Sequence, residues 1–506
     1  MSNAPRPARR EKRRNLRGRN DTMDPRQSSL FRQQAFVDGS WIDAESGAVF
    51  AVRDPATGEL LGHAPDMGAS ETRRAIAAAE RALPLWRGKT AKERAQIMRR
   101  WFELILAEQE TLAQIITAEQ GKPLVEARGE ILYGASFIDW FAEEGRRVYG
   151  DVLPIIGSDR RLLTFKQPVG VVAAITPWNF PSAMFARKVG AALGAGCAMV
   201  LKPAEQTPFS ALALVELAQR AGVPDGVVNV VTALDPSPIG LEFAKNPAVR
   251  KVTFTGSTEV GKILLRQAAE NVQKCSMELG GNAPLIVFED ADFDLAIKGA
   301  LATKYRNCGQ TCVSANRILA HESIARAFAE RLAEAAGRLK VGDGREEGAV
   351  IGPLIEQAAV EKCERHVADA VARGAALLTG GARHALGGTF FQPTVLAGVS
   401  EDALIFREET FGPVAPIVSF KDEADAIRLA NGTPYGLASY FYSRDLPRIF
   451  RVAEALDFGM VGVNETLISS ETAPFGGIKQ SGLGREGSRY GLDDYLEIKY
   501  VCLGGM

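Results

Sequence analysis

Between residues 169 and 290 the chain alternates short apolar runs with amphipathic ones, and this alternation restricts its fold more than any other feature. Residues 169–175, 197–201, 227–231 and 249–255 are strand-length runs rich in Val, Ile and Ala. Between them, residues 182–193, 210–221 and 239–245 follow helical spacing. Residues 256–272 extend the pattern with a stripe of Val260, Ile263, Leu264, Ala268 and Val272. Repeated strand–helix–strand units build a parallel sheet with helices on both faces. Such sheets bind ligands beyond the carboxyl ends of their strands, so site residues are expected there.

A second alternating block covers about 285–460, with strands expected at 285–288, 376–379 and 414–420 and helices at 323–339, 358–373 and 423–429. Two cores suit 506 residues, because single cores stop growing near about 250–300 residues. Ahead of the first block, Asp38-Gly39 between apolar runs signals a hairpin. A helix capped by Ser70 or Thr72 follows, then helical segments over 91–118 and 122–148 broken at Gly121-Lys122-Pro123. Residues 150–170 read as an inserted β-hairpin, and the strand-like tail 495–504 is a candidate to pair with it. The expected class is α/β: two Rossmann-like parallel-sheet domains plus a small β arm suited to subunit contact.

Composition excludes several partners. Net charge is −1, so nothing global points to nucleic acid. The charge is uneven, though: residues 1–20 hold eight Arg or Lys and one Glu. No apolar run follows that arm, so it lacks the core of a secretory signal. A transit peptide, a basic tether or an upstream extension before Met23 all remain open, and a disordered, non-catalytic tail over 1–30 is the expectation. No apolar run reaches the roughly 18 residues that span a bilayer. Six scattered cysteines do not form a secreted disulfide framework, so a cytoplasmic protein is expected. His63, His321, His366 and His384 pair with no Cys, Asp or Glu at metal spacing, so no metal is expected.

The segment Tyr305-Arg306-Asn307-Cys308-Gly309-Gln310-Thr311-Cys312-Val313-Ser314-Ala315-Asn316-Arg317 holds two cysteines between two arginines and no acidic residue. A nearby cation favours the thiolate, which is the nucleophilic form. With no histidine adjacent, the base for a reactive Cys312 is sought among carboxylates. Glu278, in the apolar, Gly-rich Met277-Glu278-Leu279-Gly280-Gly281, is the candidate. Three strand ends suit a dinucleotide. Thr255-Gly256-Ser257 runs into a helix whose first N–H groups favour a pyrophosphate. Lys202-Pro203-Ala204-Glu205 offers ribose partners, and Glu205 would repel a 2′-phosphate, which favours NAD over NADP. Pro177-Trp178-Asn179-Phe180-Pro181 presents an amide able to hold an oxyanion. Glu408-Glu409-Thr410-Phe411-Gly412-Pro413 and Pro474-Phe475-Gly476-Gly477 add an acidic-aromatic loop and a tight turn.

Taken in order, these seven segments resemble the aldehyde dehydrogenase superfamily from about residue 35 to the end. That resemblance implies Cys312 as nucleophile, Glu278 as base, and Asn179 with the Cys312 N–H as oxyanion hole. It also implies NAD, with NADP possible, held by Trp178, Lys202, Glu205, Gly256, Ser257, Leu279, Glu409 and Phe411. The implied domains are 31–149 with 171–281 for the cofactor, 282–485 for catalysis, and 150–170 with 486–506 as an oligomerisation arm giving a homodimer or homotetramer. Within the superfamily, Asp159-Arg160-Arg161, Tyr305-Arg306-Asn307, Leu467-Ile468-Ser469-Ser470 and Gly482-Leu483-Gly484-Arg485-Glu486-Gly487 are most similar to the succinate-semialdehyde dehydrogenases. The implied substrate is then a small semialdehyde whose far carboxylate meets Arg161, Arg306 and Ser469. Glutarate semialdehyde is one methylene longer, and a methylene discriminates by only about 1–3 kcal/mol. A cofactor-independent thiol esterase is the reading from another class. Some members carry a second cysteine two residues after the nucleophile; here that residue is Ser314. A Cys308–Cys312 disulfide remains open, subject to Cα and Cβ geometry.

Overall fold

The structure is a computed structural model and describes residues 24–505. Residues 1–23 of the expected tail lie outside the described residues, but the ordered body begins before residue 31. Asp24 caps a short 3-10 helix, Pro25–Gln27, through the Arg26 N–H. Leu30 and Phe31 are buried, with the Phe31 ring 4.4 Å from that of Phe209. These residues belong to the first core, not to the tail.

The first sheet has eight strands in the order Gly482–Leu483, Lys274–Glu278, Val249–Thr255, Val171–Ile175, Ala198–Lys202, Val228–Val230, Ala35–Val37, Ser40–Ile42. The five strands from Lys274–Glu278 to Val228–Val230 are parallel, as the alternation predicts. The chain steps outward from Val171–Ile175 to Val228–Val230, then returns to the other side of Val171–Ile175 with Val249–Thr255. That reversal opens a crevice between the carboxyl ends of the two strands. The expected hairpin forms at the far edge, with Asp38 and Gly39 both at positive φ, as a two-residue hairpin turn requires.

The helix expected to start at Ser70 or Thr72 begins earlier. It spans Ala69–Gly88 with Gly68 as N-cap, and the Glu71 carboxylate accepts the Gly68 N–H at 3.0 Å. A carboxylate reaching back to the cap N–H is half of a capping box, and it takes over from a hydroxyl cap.

The second sheet has seven strands in the order Ala376–Thr379, Thr394–Ala397, Val414–Phe420, Ala315–His321, Ala283–Val287, Ala438–Tyr442, Met460–Val463. All its pairs are parallel except the first. The expected boundary at 485 moves, because Gly482–Leu483 already pairs with Met277 and Glu278 of the first sheet. The third sheet is the expected arm. Arg160–Pro168 lies between Val152–Leu153 and Leu496–Gly504, all antiparallel, and Val152, Ile156 and Ile498 are exposed on it. Among the described residues no helix is long and apolar enough to cross a membrane.

The stripe expected over 256–272 is only partly a core face. In the helix Thr258–Ala268, Leu264 and Ala268 are buried while Val260 and Ile263 are exposed toward the crevice. Val272 closes the following turn at φ 51° and is 90% exposed. A left-handed conformation costs an L-residue about 1–2 kcal/mol, and glycine loses about 0.5–1 kcal/mol more entropy than alanine on ordering. Val272→Gly is therefore expected to stabilise the fold by roughly 0.5–1 kcal/mol. The urea unfolding midpoint measures this: a rise is expected, and a fall contradicts the helix-end assignment.

Candidate active site

The crevice between the strand ends is a cleft of 540 Å³. Ile175–Trp178 line it from one strand end, Lys202–Gln206 from the next and Phe254–Ser257 from the third; Val260 and Ile263 form an apolar wall. The Ser257 hydroxyl accepts the Val260 N–H at 3.3 Å and caps the helix, and both residues line the cleft. The Gly256 N–H bonds the Glu278 carbonyl, tying the cleft to the strand that carries the candidate base. Lys202 Nζ lies 2.8 Å from Glu205 Oε2 at the outer end. Trp178, on the cleft wall, meets Phe411 edge to face, ring centroids 5.6 Å apart. Leu279 is buried, and a Cβ on Gly261 would fall 2.4 Å from its Cδ2, so glycine lets the helix seat against it. Five of the eight expected cofactor residues, Trp178, Lys202, Glu205, Gly256 and Ser257, line this cleft, whereas Leu279, Glu409 and Phe411 are not among its lining. The residue types suit a dinucleotide: an apolar slot, a helix N-terminus, and a lysine–carboxylate pair for hydroxyls.

Cys312 lies just before the central strand of the second sheet, Ala315–His321, in a loop of unusual backbone. Asn307, Cys308 and Gly309 are consecutive left-handed residues, at φ 50°, 56° and 74°. Gly309 is obligatory here, since a Cβ would lie 2.2 Å from the Gly412 carbonyl oxygen. Both thiols are free; Cys308 is buried and Cys312 partly exposed. Asn179 Nδ2 donates to the Gln310 carbonyl at 3.0 Å, which brings the amide beside the nucleophile loop. The Glu-Leu-Gly-Gly strand end passes so close that a Cβ on Gly281 would lie 2.6 Å from the Cys312 carbonyl oxygen. On its other side the Gly281 N–H bonds Glu409 at 3.0 Å.

Glu278 is buried, and its Oε2 has no hydrogen-bond partner among the described residues. Burial pushes its carboxyl well above the ordinary range, the charge of Glu486 adds to this, and Arg187, Lys188 and Arg485 oppose it. An underpartnered, basic carboxylate is what a general base requires. Burial also lifts Glu409 to about 7, against the pull of the Gly281 N–H. For the Cys312 thiol, burial dominates and raises it to about 12; Glu409 adds, and Arg187 is the opposing cation.

That last point corrects the expectation drawn from the flanking arginines. Arg317 is buried and spends its guanidinium on the carbonyls of Asn282, Leu429 and Ala430. Arg306 lies 4.9 Å over the Phe180 ring. The cation whose charge opposes the rise at the thiol is Arg187, which sequence reasoning missed. Arg187 sits in Pro181–Ala195, a helix buried along its whole length. It lies 4.0 Å over the Phe475 ring, and its Nη2 is 2.8 Å from Glu486 Oε2. Glu486 also takes Lys188 Nζ at 2.6 Å; burial works against its charge, yet Lys188 and Arg187 hold its carboxyl below the usual value. The available signal was Arg187-Lys188 itself, two charges inside an otherwise apolar helix.

The structure brings Arg306 and Arg187 to one aromatic cluster: Arg306 lies over Phe180, against which Tyr133 packs, and Arg187 lies 5.6 Å over Phe137, whose ring meets that of Tyr133 edge to face at 5.0 Å. Burial raises the Tyr133 hydroxyl, and the charges of Arg187 and Arg306, with the Ser469 side chain, oppose that rise. Arg161 does not join them in this chain. It is exposed on the middle strand of the arm, opposite Leu503, and its guanidinium bonds the Arg160 carbonyl. The arm's separate sheet carries it away from both parallel sheets, and Arg187 supplies the cation beside Tyr133.

Two doubly wound parallel sheets, with a crevice suited to a dinucleotide at the strand ends of the first, define a Rossmann-like α/β enzyme fold. The chain belongs to the Aldehyde dehydrogenase family, whose pattern it matches over residues 41–501. It is 60% identical to glutarate-semialdehyde dehydrogenase of Pseudomonas aeruginosa, covering 96% of this chain and all of that protein. It is likewise 60% identical to the NADP(+) succinate-semialdehyde dehydrogenase of Escherichia coli K12, over 94% of this chain and 99% of that one. Among solved structures, succinate-semialdehyde dehydrogenase from Burkholderia pseudomallei superposes with a TM-score of 0.93 at 62% identity, covering 94% of this chain and 98% of that chain.

If Arg187 is the cation that acts on the thiol, Arg187→Met raises the pH at which iodoacetamide alkylates Cys312 by about one unit. Arg306→Met is expected to leave that pH unchanged. Equal shifts from both variants contradict the assignment.

Proposed function

We propose that this enzyme oxidises succinate semialdehyde to succinate with NAD(P), through a thioester on Cys312. The observation that carries the reading is the pair of groups around the Cys312 thiol: a buried carboxylate, Glu278, whose Oε2 has no hydrogen-bond partner among the described residues, and two arginines, Arg187 and Arg306, stacked over the aromatic cluster of Phe137, Tyr133 and Phe180. The first is a base for water; the second suits an anionic group at the far end of a short aldehyde, because arginine binds carboxylate bidentately. Both semialdehyde names among the relatives describe aldehydes of this kind. In this reading Arg187 fills the role expected of Arg161.

The chemistry follows from the positions. The thiolate of Cys312 adds to the aldehyde carbon, and the resulting oxyanion meets Asn179 Nδ2 and the Cys312 N–H. The dinucleotide, when bound, supplies the hydride acceptor that turns the thiohemiacetal into a thioester. Glu278 then takes a proton from water, and the hydroxide releases the acid from Cys312. Trp178, Gly256 and Ser257 would border the pyrophosphate, Lys202 and Glu205 the adenosine ribose, and Leu279, Glu409 and Phe411 the nicotinamide end. Glu205 disfavours a 2′-phosphate, so NAD is the preferred cofactor even though one relative bears the NADP(+) name. The exposed apolar arm supports a homo-oligomer, dimer or tetramer, working in the cytoplasm.

Mixing the protein with C4 and C5 semialdehydes, each with NAD or NADP, tests the proposal. NADH formation is expected with the C4 substrate, faster with NAD than with NADP. Arg306→Met is expected to raise KM for the carboxylated aldehyde by about tenfold or more, the worth of a charged hydrogen bond, and to leave that for butanal within about threefold. No NADH with any semialdehyde, and retained ester hydrolysis, would mean a thiol esterase instead.

A further inference from the structure

Asn179 owes its place to groups that never reach the cleft. Lys122 lies in the Gly121-Lys122-Pro123 break between the helices Gln109–Gln120 and Leu124–Glu144. Its side chain is fully buried, and Nζ donates to the Asn179 carbonyl at 2.6 Å and to Glu130 Oε2 at 2.6 Å. The same ammonium stands 3.8 Å over the Phe180 ring. The other oxygen of Glu130 accepts the N–H groups of Ser182 and Ala183, at 2.9 and 3.2 Å, in the first turn of the helix Pro181–Ala195. The Trp178–Pro181 loop is thereby clamped on both sides of Asn179: its carbonyl by an ammonium, the helix after it by a carboxylate. Asn307 Nδ2 reaches the Asn179 carbonyl from the nucleophile loop at 3.1 Å.

We propose that Lys122 and Glu130 are positioning residues for the oxyanion hole, fixing the Asn179 amide against the Cys312 loop through the Asn179 carbonyl and the Pro181–Ala195 helix. Stability alone does not account for the pair. Taking two charges out of water costs several kcal/mol per ion, and apolar replacements of similar volume are often neutral or stabilising. What an apolar pair cannot do is hold a carbonyl and two helix N–H groups at fixed places. With its backbone fixed, Asn179 keeps one N–H on Gln310 and has the second free for a substrate oxygen.

The inference rests on the thiol chemistry proposed above but not on the aldehyde, so its test uses an ester and no dinucleotide. In the full-length protein, p-nitrophenyl acetate acylates Cys312 through an oxyanion, whereas iodoacetamide alkylates the same thiol without one. The charge-free double variant Lys122→Met/Glu130→Gln avoids leaving either ion buried alone. Lys122→Gln, one atom shorter than lysine, is the second variant if the double one does not fold; it keeps a donor for Glu130 while withdrawing from the Asn179 carbonyl. Loss of an oxyanion donor costs about 10²–10³ in rate. The acylation burst is therefore expected to slow by about 100-fold while alkylation stays within about threefold of wild type. A folded variant that acylates at the wild-type rate overturns the proposal. So does one in which acylation and alkylation fall together, since that marks a merely structural pair. Absence of aldehyde-dependent NADH in the wild type counts against the dehydrogenase reading alone.

Discussion

The left-handed turn at Asn307, Cys308 and Gly309 is the constraint on which the site depends. A left-handed residue other than glycine is held only where its surroundings over-determine it, at about 1–2 kcal/mol each. Here they do. Glu126 accepts the Asn307 N–H at 2.9 Å, and the Asn307 amide bonds the carbonyls of Asn179 and Gln310. Gln310 returns a bond to the Asn307 carbonyl and takes the Ile355 N–H at 2.9 Å. The turn therefore gathers the helix Leu124–Glu144, the Asn179 loop and the second domain around the residue that carries the thiol.

Electrostatics at the site runs on few cations. Glu278, Glu409 and Cys312 all sit where burial penalises their charged forms. Two of them share Arg187: it opposes the rise at Glu278 and at Cys312 while pairing with Glu486. An anion arriving near Tyr133 would engage the same guanidinium.

Much of this was legible in the sequence. The parallel sheets followed from alternation, the arm from two unmatched strand-like segments, and the expectation for Cys312, Glu278 and Asn179 from the motifs that carry the family resemblance. Legibility failed where contacts join residues far apart in sequence. Arg187 meets Glu486 almost 300 positions away, and the local signal, two charges inside an apolar helix, does not say which groups they meet. Arg161 was read as a substrate group from its motif, but its strand belongs to the arm. The stripe through Val260 and Ile263 had the right period yet faces the cleft, because periodicity reports an apolar face and not what covers it.

The central claim is that Cys312 carries the acyl group and Glu278 releases it. It is tested most directly in Glu278→Gln by intact-protein mass spectrometry after mixing with succinate semialdehyde and NAD. One equivalent of NADH, with a succinyl adduct accumulating on Cys312, is the predicted result. Multiple turnovers without an adduct would contradict the account, because another group would then be activating the water.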